Sequence, residues 1–178
     1  MNERPIAIDL FAGCGGMSLG LEAAGFHLAV AVEFDPVHAL VHHFNFPYCQ
    51  TICRDITQVT SREIIDILRS KGYKKDVDLI TGGPPCQGFS LMGKRQIDDP
   101  RNSLVFEYFR IISEIRPKYF IFENVPGIAT GNHRQFLEEL ITKFESIGYI
   151  ITQPVQILDA SEYGAPQKRK RLILIGSR

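Results

Sequence analysis

The sequence predicts an α/β protein of one domain spanning 1–178, with a mostly parallel sheet and helices on both faces. Three observations predict it. Short runs rich in Ile, Val, Leu and Phe alternate with stretches of helical period, as strands buried on both faces require. A glycine-rich stretch, Ala12-Gly13-Cys14-Gly15-Gly16, follows the first apolar run, where doubly wound folds turn from strand into helix. Finally, 178 residues of which 44% are apolar supply material for one core.

Taken in order, strands are expected over 6–11, 28–34, 77–81, 119–124, 150–158 and 172–175. The helix after the glycines carries Leu19, Leu21 and Ala23. Thr60 and Glu63 have capping-box spacing ahead of Ile64, Ile65 and Leu68, with Gly72 as the stop. Leu104, Tyr108, Ile111, Ile112 and Ile115 recur at helical spacing, as do Phe136, Leu137, Leu140, Ile141, Phe144 and Ile147, closed by Gly148. Those stripes read as core. The Gly/Pro-rich segment 82–102 is longer than an ordinary strand-to-helix connection and reads as a functional loop.

Charge excludes some classes of function. Twenty basic residues balance twenty acidic ones, so a polyanion site has to come from a local cluster. Four cysteines are too few for a disulfide scaffold. The N-terminus lacks the basic region and long apolar stretch of a signal peptide, and no apolar run approaches a membrane span. A cytoplasmic protein with reduced thiols is the expectation.

The glycines after the first strand allow a tight turn and close approach to a ligand at the carboxyl edge of the sheet. The dinucleotide pattern G-x-G-x-x-G fails at its third position, where Ser18 stands, which argues against a pyrophosphate cofactor. Glu33 ends the second strand about 20 residues on, where a carboxylate accepts hydrogen bonds from ribose hydroxyls. An adenosine cofactor is expected; the competing reading is a structural turn with Glu33 solvated. Cys86, in Gly82-Gly83-Pro84-Pro85-Cys86, lies beyond the third strand in a backbone stiffened by two prolines, which suits a nucleophile. Cys14, Cys49 and Cys53 read as small hydrophobes, and no metal is expected because no second ligand pair follows. Glu123 stands at the carboxyl end of a strand buried on both faces, where a carboxylate is costly unless paired or used. Lys168, Arg169, Lys170 and Arg171 form the only dense basic cluster. Such a run is either a solvated face or a binding site for phosphate.

In this order the residues resemble the cytosine-C5 DNA methyltransferases, which use S-adenosylmethionine (AdoMet) as methyl donor. The matching blocks are Asp9 to Gly16, Glu33, Asp55-Ile56, Gly83 to Ser90, Asp99 to Leu104, Glu123-Asn124-Val125, and Gln167-x-Arg169-x-Arg171. The resemblance implies a Rossmann-like AdoMet-dependent methyltransferase fold. It implies that Phe11, Gly13, Cys14 and Gly16 line the AdoMet pocket, that Glu33 holds the ribose with Phe34 beside it, that Asp55 and Ile56 hold the adenine, and that Pro85 and Leu104 complete the site. Cys86 would be the nucleophile, Glu123 the residue on the ring nitrogen, and Arg169 and Arg171 the cations beside the base. S-adenosylhomocysteine (AdoHcy) would be the product and duplex DNA the substrate, in the setting of restriction and modification.

The chemistry asks for those residue types. Cytosine C5 is too poor a nucleophile to take a methyl group directly, so a thiolate must first add at C6. A glutamic acid with a raised pKa at N3 would stabilise that adduct. The base must also leave the duplex stack, with 88–99 as the closing loop. After the Gln-x-Arg-x-Arg block the family usually continues into a target-recognition region and a closing segment, which this sequence lacks. A partial chain, one half of a two-chain enzyme, and a remnant that binds AdoMet without catalysis are the readings of that lack. A second chain or a further region is expected to carry target recognition. Two other classes compete: a tRNA-methylating relative, for which Gly88-Phe89-Ser90 is the wrong continuation, and a nicotinamide oxidoreductase, against which Ser18 and the Pro-Pro-Cys context argue.

Overall fold

The structure, a computed structural model, describes residues 4–73, 76–85, 103–131 and 134–178. Its strands are β1 (Ile6–Leu10), β2 (His27–Glu33), β3 (Gln50–Cys53), β4 (Leu79–Gly82), β5 (Tyr119–Asn124), β6 (Ile150–Ile151), β7 (Gln156–Asp159) and β8 (Lys170–Ser177). The helices are α1 (Gly16–Ala23), α2 (Pro36–Asn45), α3 (Ser61–Ser70), α4 (Ser103–Ile115) and α5 (Arg134–Ser146). Spatial order in the sheet is β3-β2-β1-β4-β5-β8-β6, with β7 also paired to β8. Strands β3 to β5 run parallel, while β8 is antiparallel to β5, β6 and β7.

The alternation of side chains along β1 divides the interior. Ile6, Ile8 and Leu10 enter the larger core with Ile64 and Leu68 of α3, Tyr108, Ile111 and Ile112 of α4, and Leu137, Leu140 and Phe144 of α5. Ala7 turns to the smaller core, with Leu21 of α1, Phe46 and Cys49. Helices therefore cover both faces, as expected. Each fully buried Ile, Leu or Phe contributes about 1.5–3 kcal/mol, so the helical stripes and the strands hold each other in place. The capping prediction holds in part: Thr60 Oγ1 accepts from the Glu63 N–H at 3.1 Å, while the Glu63 carboxylate pairs with Arg54 instead of closing the box.

One expectation is corrected, and two elements were not foreseen. The strand expected over 150–158 is two short strands, because Pro154 has no N–H to give to a ladder. Strand β3 was not expected: it is an edge strand of four residues with one buried side chain, Ile52, too short to show a period. Helix α2 was not expected either. Val37, Leu40 and Phe44 lie on its exposed side, 66%, 69% and 82% accessible, so apolar residues occur on both faces and erase the amphipathic pattern. The loop residues 86–102, Cys86 among them, and residues 132–133 lie outside the described residues.

Strands β1 and β4 are adjacent and parallel, yet the helices that follow them lie on opposite faces of the sheet. Such a switch point opens a crevice beyond the carboxyl ends of the strands.

Candidate active site

The β1–α1 turn opens one side of this crevice. Phe11 and Gly13 take positive φ, 58° and 55°, and Gly15 has φ 99°. A Cβ at Gly13 or Gly16 would meet only open space, whereas one at Gly15 would run into the Phe46 ring and come within 3.2 Å of His42 Cδ2. Gly15 therefore answers to packing as well as to φ, and Gly13 faces outward. Across the turn, Glu33 Oε2 accepts the Gly13 N–H at 2.7 Å and Oε1 accepts the Asp35 N–H at 2.8 Å. Its side chain keeps 12% of its surface accessible. Next to it Phe34 is 71% exposed, a large apolar side chain left open at a strand end.

Further along the edge, Asp55 caps the turn Ile56–Gln58 by accepting the Thr57 N–H at 2.9 Å. Ile56 is 3% exposed and its side chain belongs to the larger core, so the backbone is what this position offers to the crevice. Leu104 on α4 packs against the same core, and Pro85 is exposed beyond β4.

The second half of the crevice lies at β4, β5 and β8. Glu123 is opposite Ile173 in the antiparallel β5–β8 pair, which puts Arg171, two residues before Ile173, on the same face as a diagonal neighbour. Arg171 Nε donates to Glu123 Oε1 at 2.7 Å, with both side chains about one quarter accessible. A Cβ on Gly83 would lie 2.7 Å from Glu123 Oε2, so the glycine makes room for the carboxylate. Asn124, buried, donates from Nδ2 to the Pro84 carbonyl at 3.1 Å and fixes the backbone two residues before Cys86. Arg169 is exposed, and its backbone N–H donates to Asp159 Oδ1 at 3.0 Å. Asp159 also accepts from the Ser161 N–H and hydroxyl, and these bonds hold its carboxyl below the usual carboxylate range.

The family model for C-5 cytosine-specific DNA methylase matches residues 6–178. The chain belongs to this family. Among its relatives, the type II methyltransferase M.XorII of Xanthomonas oryzae pv. oryzae is 53% identical over 176 residues, which covers 98% of this chain and 41% of M.XorII. The type II methyltransferase M.AquIA of Picosynechococcus is 40% identical, over 96% of this chain and 71% of its own length. The solved structure of Spodoptera frugiperda DNMT2 superposes with a TM-score of 0.74 at 28% identity, over 98% of this chain and 50% of that one. A DNA modification methyltransferase encoded within an E. coli prophage superposes with a TM-score of 0.81 at 36% identity, over 98% and 47%. The chain thus spans half or less of the length of three of these four proteins.

Within the crevice the structure brings Glu33, Phe34 and the glycine turn together, and separately Glu123, Arg171 and the Gly83–Pro85 edge. Three residues that shape it were missed in the sequence. Asn124 was read as part of a motif and given no task. Asp159 buttresses the Arg169 backbone, a contact between positions ten apart that composition does not announce. Arg110 of α4 donates from Nη2 to the carbonyls of Ile56 and Val59 at 3.1 and 2.9 Å, clamping the turn that carries Asp55. Its spacing from Glu107 and Glu114 reads as ordinary helix pairing.

Proposed function

We propose that this chain carries the donor-binding and catalytic portion of an enzyme that transfers a methyl group from AdoMet to C5 of cytosine in duplex DNA. The Glu123–Arg171 pair beside Gly83 carries this reading. It sets a carboxylate and a cation at the strand edge that leads, through a backbone held by Asn124, to Cys86. The crevice fits the donor on its own terms: open space over Gly13 and Gly16, a carboxylate held at the end of β2, and an exposed Phe34 for an adenine face to lie on.

On this reading the Cys86 thiolate adds to C6 of a flipped cytosine while Glu123 gives a proton to N3. AdoMet held by Glu33 and the glycine turn would supply the methyl group to the charge now on C5 and would be left as the uncharged thioether AdoHcy. A base takes the C5 proton, the S–C6 bond breaks, Cys86 departs as thiolate and N3 returns its proton. Arg169 and Arg171 flank the base, and Arg171 also orients Glu123. Phe11, Gly13, Cys14, Gly16, Glu33, Phe34, Asp55, Ile56, Pro85 and Leu104 form the donor site. A second chain or a further region reads the DNA target.

The test is intact-mass analysis after incubation with AdoMet and duplex DNA carrying 5-fluorocytosine in many sequence contexts. Fluorine at C5 blocks the final elimination. A covalent adduct in the native chain, absent from Cys86→Ser, is the expected result. AdoMet binding without any adduct in the native chain would favour the alternative, a donor-binding half that does not catalyse alone.

A further inference from the structure

Beneath the glycine turn lies a buried polar chain that the reaction above does not use. Asp9 on β1, Ser18 on α1 and His42 on α2 are 1%, 0% and 0% exposed. Ser18 Oγ donates to Asp9 Oδ2 at 2.6 Å, and Thr81 Oγ1 of β4 donates to Asp9 Oδ1 at 2.9 Å. His42 Nε2 lies 2.9 Å from Ser18 Oγ, and His42 Nδ1 lies 2.9 Å from Thr51 Oγ1 of β3. The direction of the chain follows from hydrogen counting. Ser18 has one hydroxyl hydrogen and gives it to the carboxylate, so towards His42 it can only accept. His42 Nε2 therefore carries a hydrogen. Burial holds the imidazole below its usual pKa, so the ring is neutral and Nδ1 accepts from Thr51.

The ladder runs one way, from Thr51 through His42 and Ser18 to Asp9, and it ends on an anion. His42 also packs against Gly15, and Asn45 of the same helix donates to the Cys14 carbonyl at 3.2 Å. Five elements thus converge under the turn, and among the described residues no ion pair reaches the charge they organise on Asp9. The titratable groups that feel it are Glu33, Tyr108 and Cys49, besides His42 through Ser18. A buried carboxylate with no counter-charge among the described residues, at the strand end that leads into the glycine turn, is a partner for a cationic ligand.

We infer that Asp9 is a positioning residue for the charged methyl donor: the Thr51–His42–Ser18 ladder holds its carboxylate as an anion beneath the glycine turn, so that the turn favours the sulfonium of AdoMet over the uncharged thioether of AdoHcy. This rests on the donor site proposed above. AdoMet and AdoHcy share adenosine, carboxylate and ammonium, so the ratio of their affinities isolates the charge at sulfur. Asp9 loses its charge as the pH falls through about 6. Asn at this position is nearly isosteric and keeps an oxygen and an NH2 for the Ser18 and Thr81 hydroxyls, so it removes the charge at nearly constant shape.

The experiment is calorimetric titration of the native chain and Asp9→Asn with AdoMet and with AdoHcy, at pH 8 and pH 5, together with ¹⁵N NMR of the His42 ring of the native chain at pH 8. Expected for the native chain is an AdoMet-to-AdoHcy affinity ratio at least fivefold higher at pH 8 than at pH 5, with the His42 hydrogen on Nε2. In Asp9→Asn the ratio is low at both, which separates Asp9 from Glu33. A pH-independent ratio in the native chain overturns the inference, and this arm stands even if the variant does not fold. A folded variant that keeps the native ratio, or a native His42 ring with its hydrogen on Nδ1, overturns it as well. A native chain that binds neither ligand overturns the donor reading itself, and is distinguished by that loss of both.

Discussion

At the scale of single residues, the contact that carries most chemical weight is between Gly83 and Glu123. No hydrogen bond is involved; the glycine matters because any Cβ there would stand 2.7 Å from Oε2, a separation real Cβ atoms do not adopt. Gly83→Ala therefore has to displace the carboxylate from Arg171 or shift the end of β4. We expect at least a 100-fold loss of methyl transfer in Gly83→Ala, with AdoMet affinity within about threefold of native. Single-turnover kinetics and donor titration check this; a variant with native turnover would remove Glu123's placement from the mechanism. Glu123 and Arg171 were legible in the sequence as motif residues. Their contact was not, because it depends on the β5–β8 register, and the sequence expectation for β8 was four residues where the strand has eight. Arg169 was legible as a cation, but not the Asp159 carboxylate that pins its backbone.

At the scale of elements, the adenine side of the proposed site is a short turn at Ile56–Gln58 held from behind by α4. Arg110 satisfies the carbonyls of Ile56 and Val59 while its guanidinium is neutralised by Glu107 and Glu114. Arg110→Ala removes the guanidinium donor from both carbonyls, leaving Ile56 with only the Val59 N–H, and costs about 1–3 kcal/mol of stability. It is expected to weaken AdoMet binding at least fivefold. Thr60→Ala, which removes only the cap of α3, serves as the contrast: it costs about 1 kcal/mol and leaves donor affinity unchanged. Chemical denaturation and donor titration of the two variants check the pair, and equal affinity losses would mean that stability alone is being read. The same scale explains what the sequence disclosed of the fold. Helices α3 to α5 pack one apolar face on a broad core and show it in their spacing, while α2 buries Ala39 and His42 and turns apolar side chains outward. Helix α2 was thus invisible to periodicity, although it grips the glycine turn through His42, Asn45 and its C-cap Phe46.

At the scale of the whole molecule, the polar chain under the donor turn sets how stability depends on pH. Burial pushes the Asp9 carboxyl up from 3.8 to about 6, against the opposing pull of the Ser18 and Thr81 hydrogen bonds. The folded protein therefore holds this proton more tightly than the unfolded chain does. Asp9's contribution to stability is fully present below 3.8 and is lost as the pH rises through about 6, an effect of about 3 kcal/mol at about 1.4 kcal/mol per pH unit. Asp35 and Asp159 act in the opposite sense: backbone hydrogen bonds lower both, so their support is present above the usual carboxylate range and fades as the pH falls through their lowered values. Asp35 is half-buried and Asp159 buried, but lowered carboxyls act on stability below the usual carboxylate range, which leaves Asp9 as the stronger lever between pH 4 and 7. Asp9→Asn has no charge to bury. Relative to the native chain it is expected to gain about 2–3 kcal/mol of stability on going from pH 4 to pH 8, as read from denaturant midpoints at the two values. A stability difference between variant and native chain that does not change with pH would show that the carboxylate carries no burial penalty, and that the anion is better solvated than its 1% exposure allows.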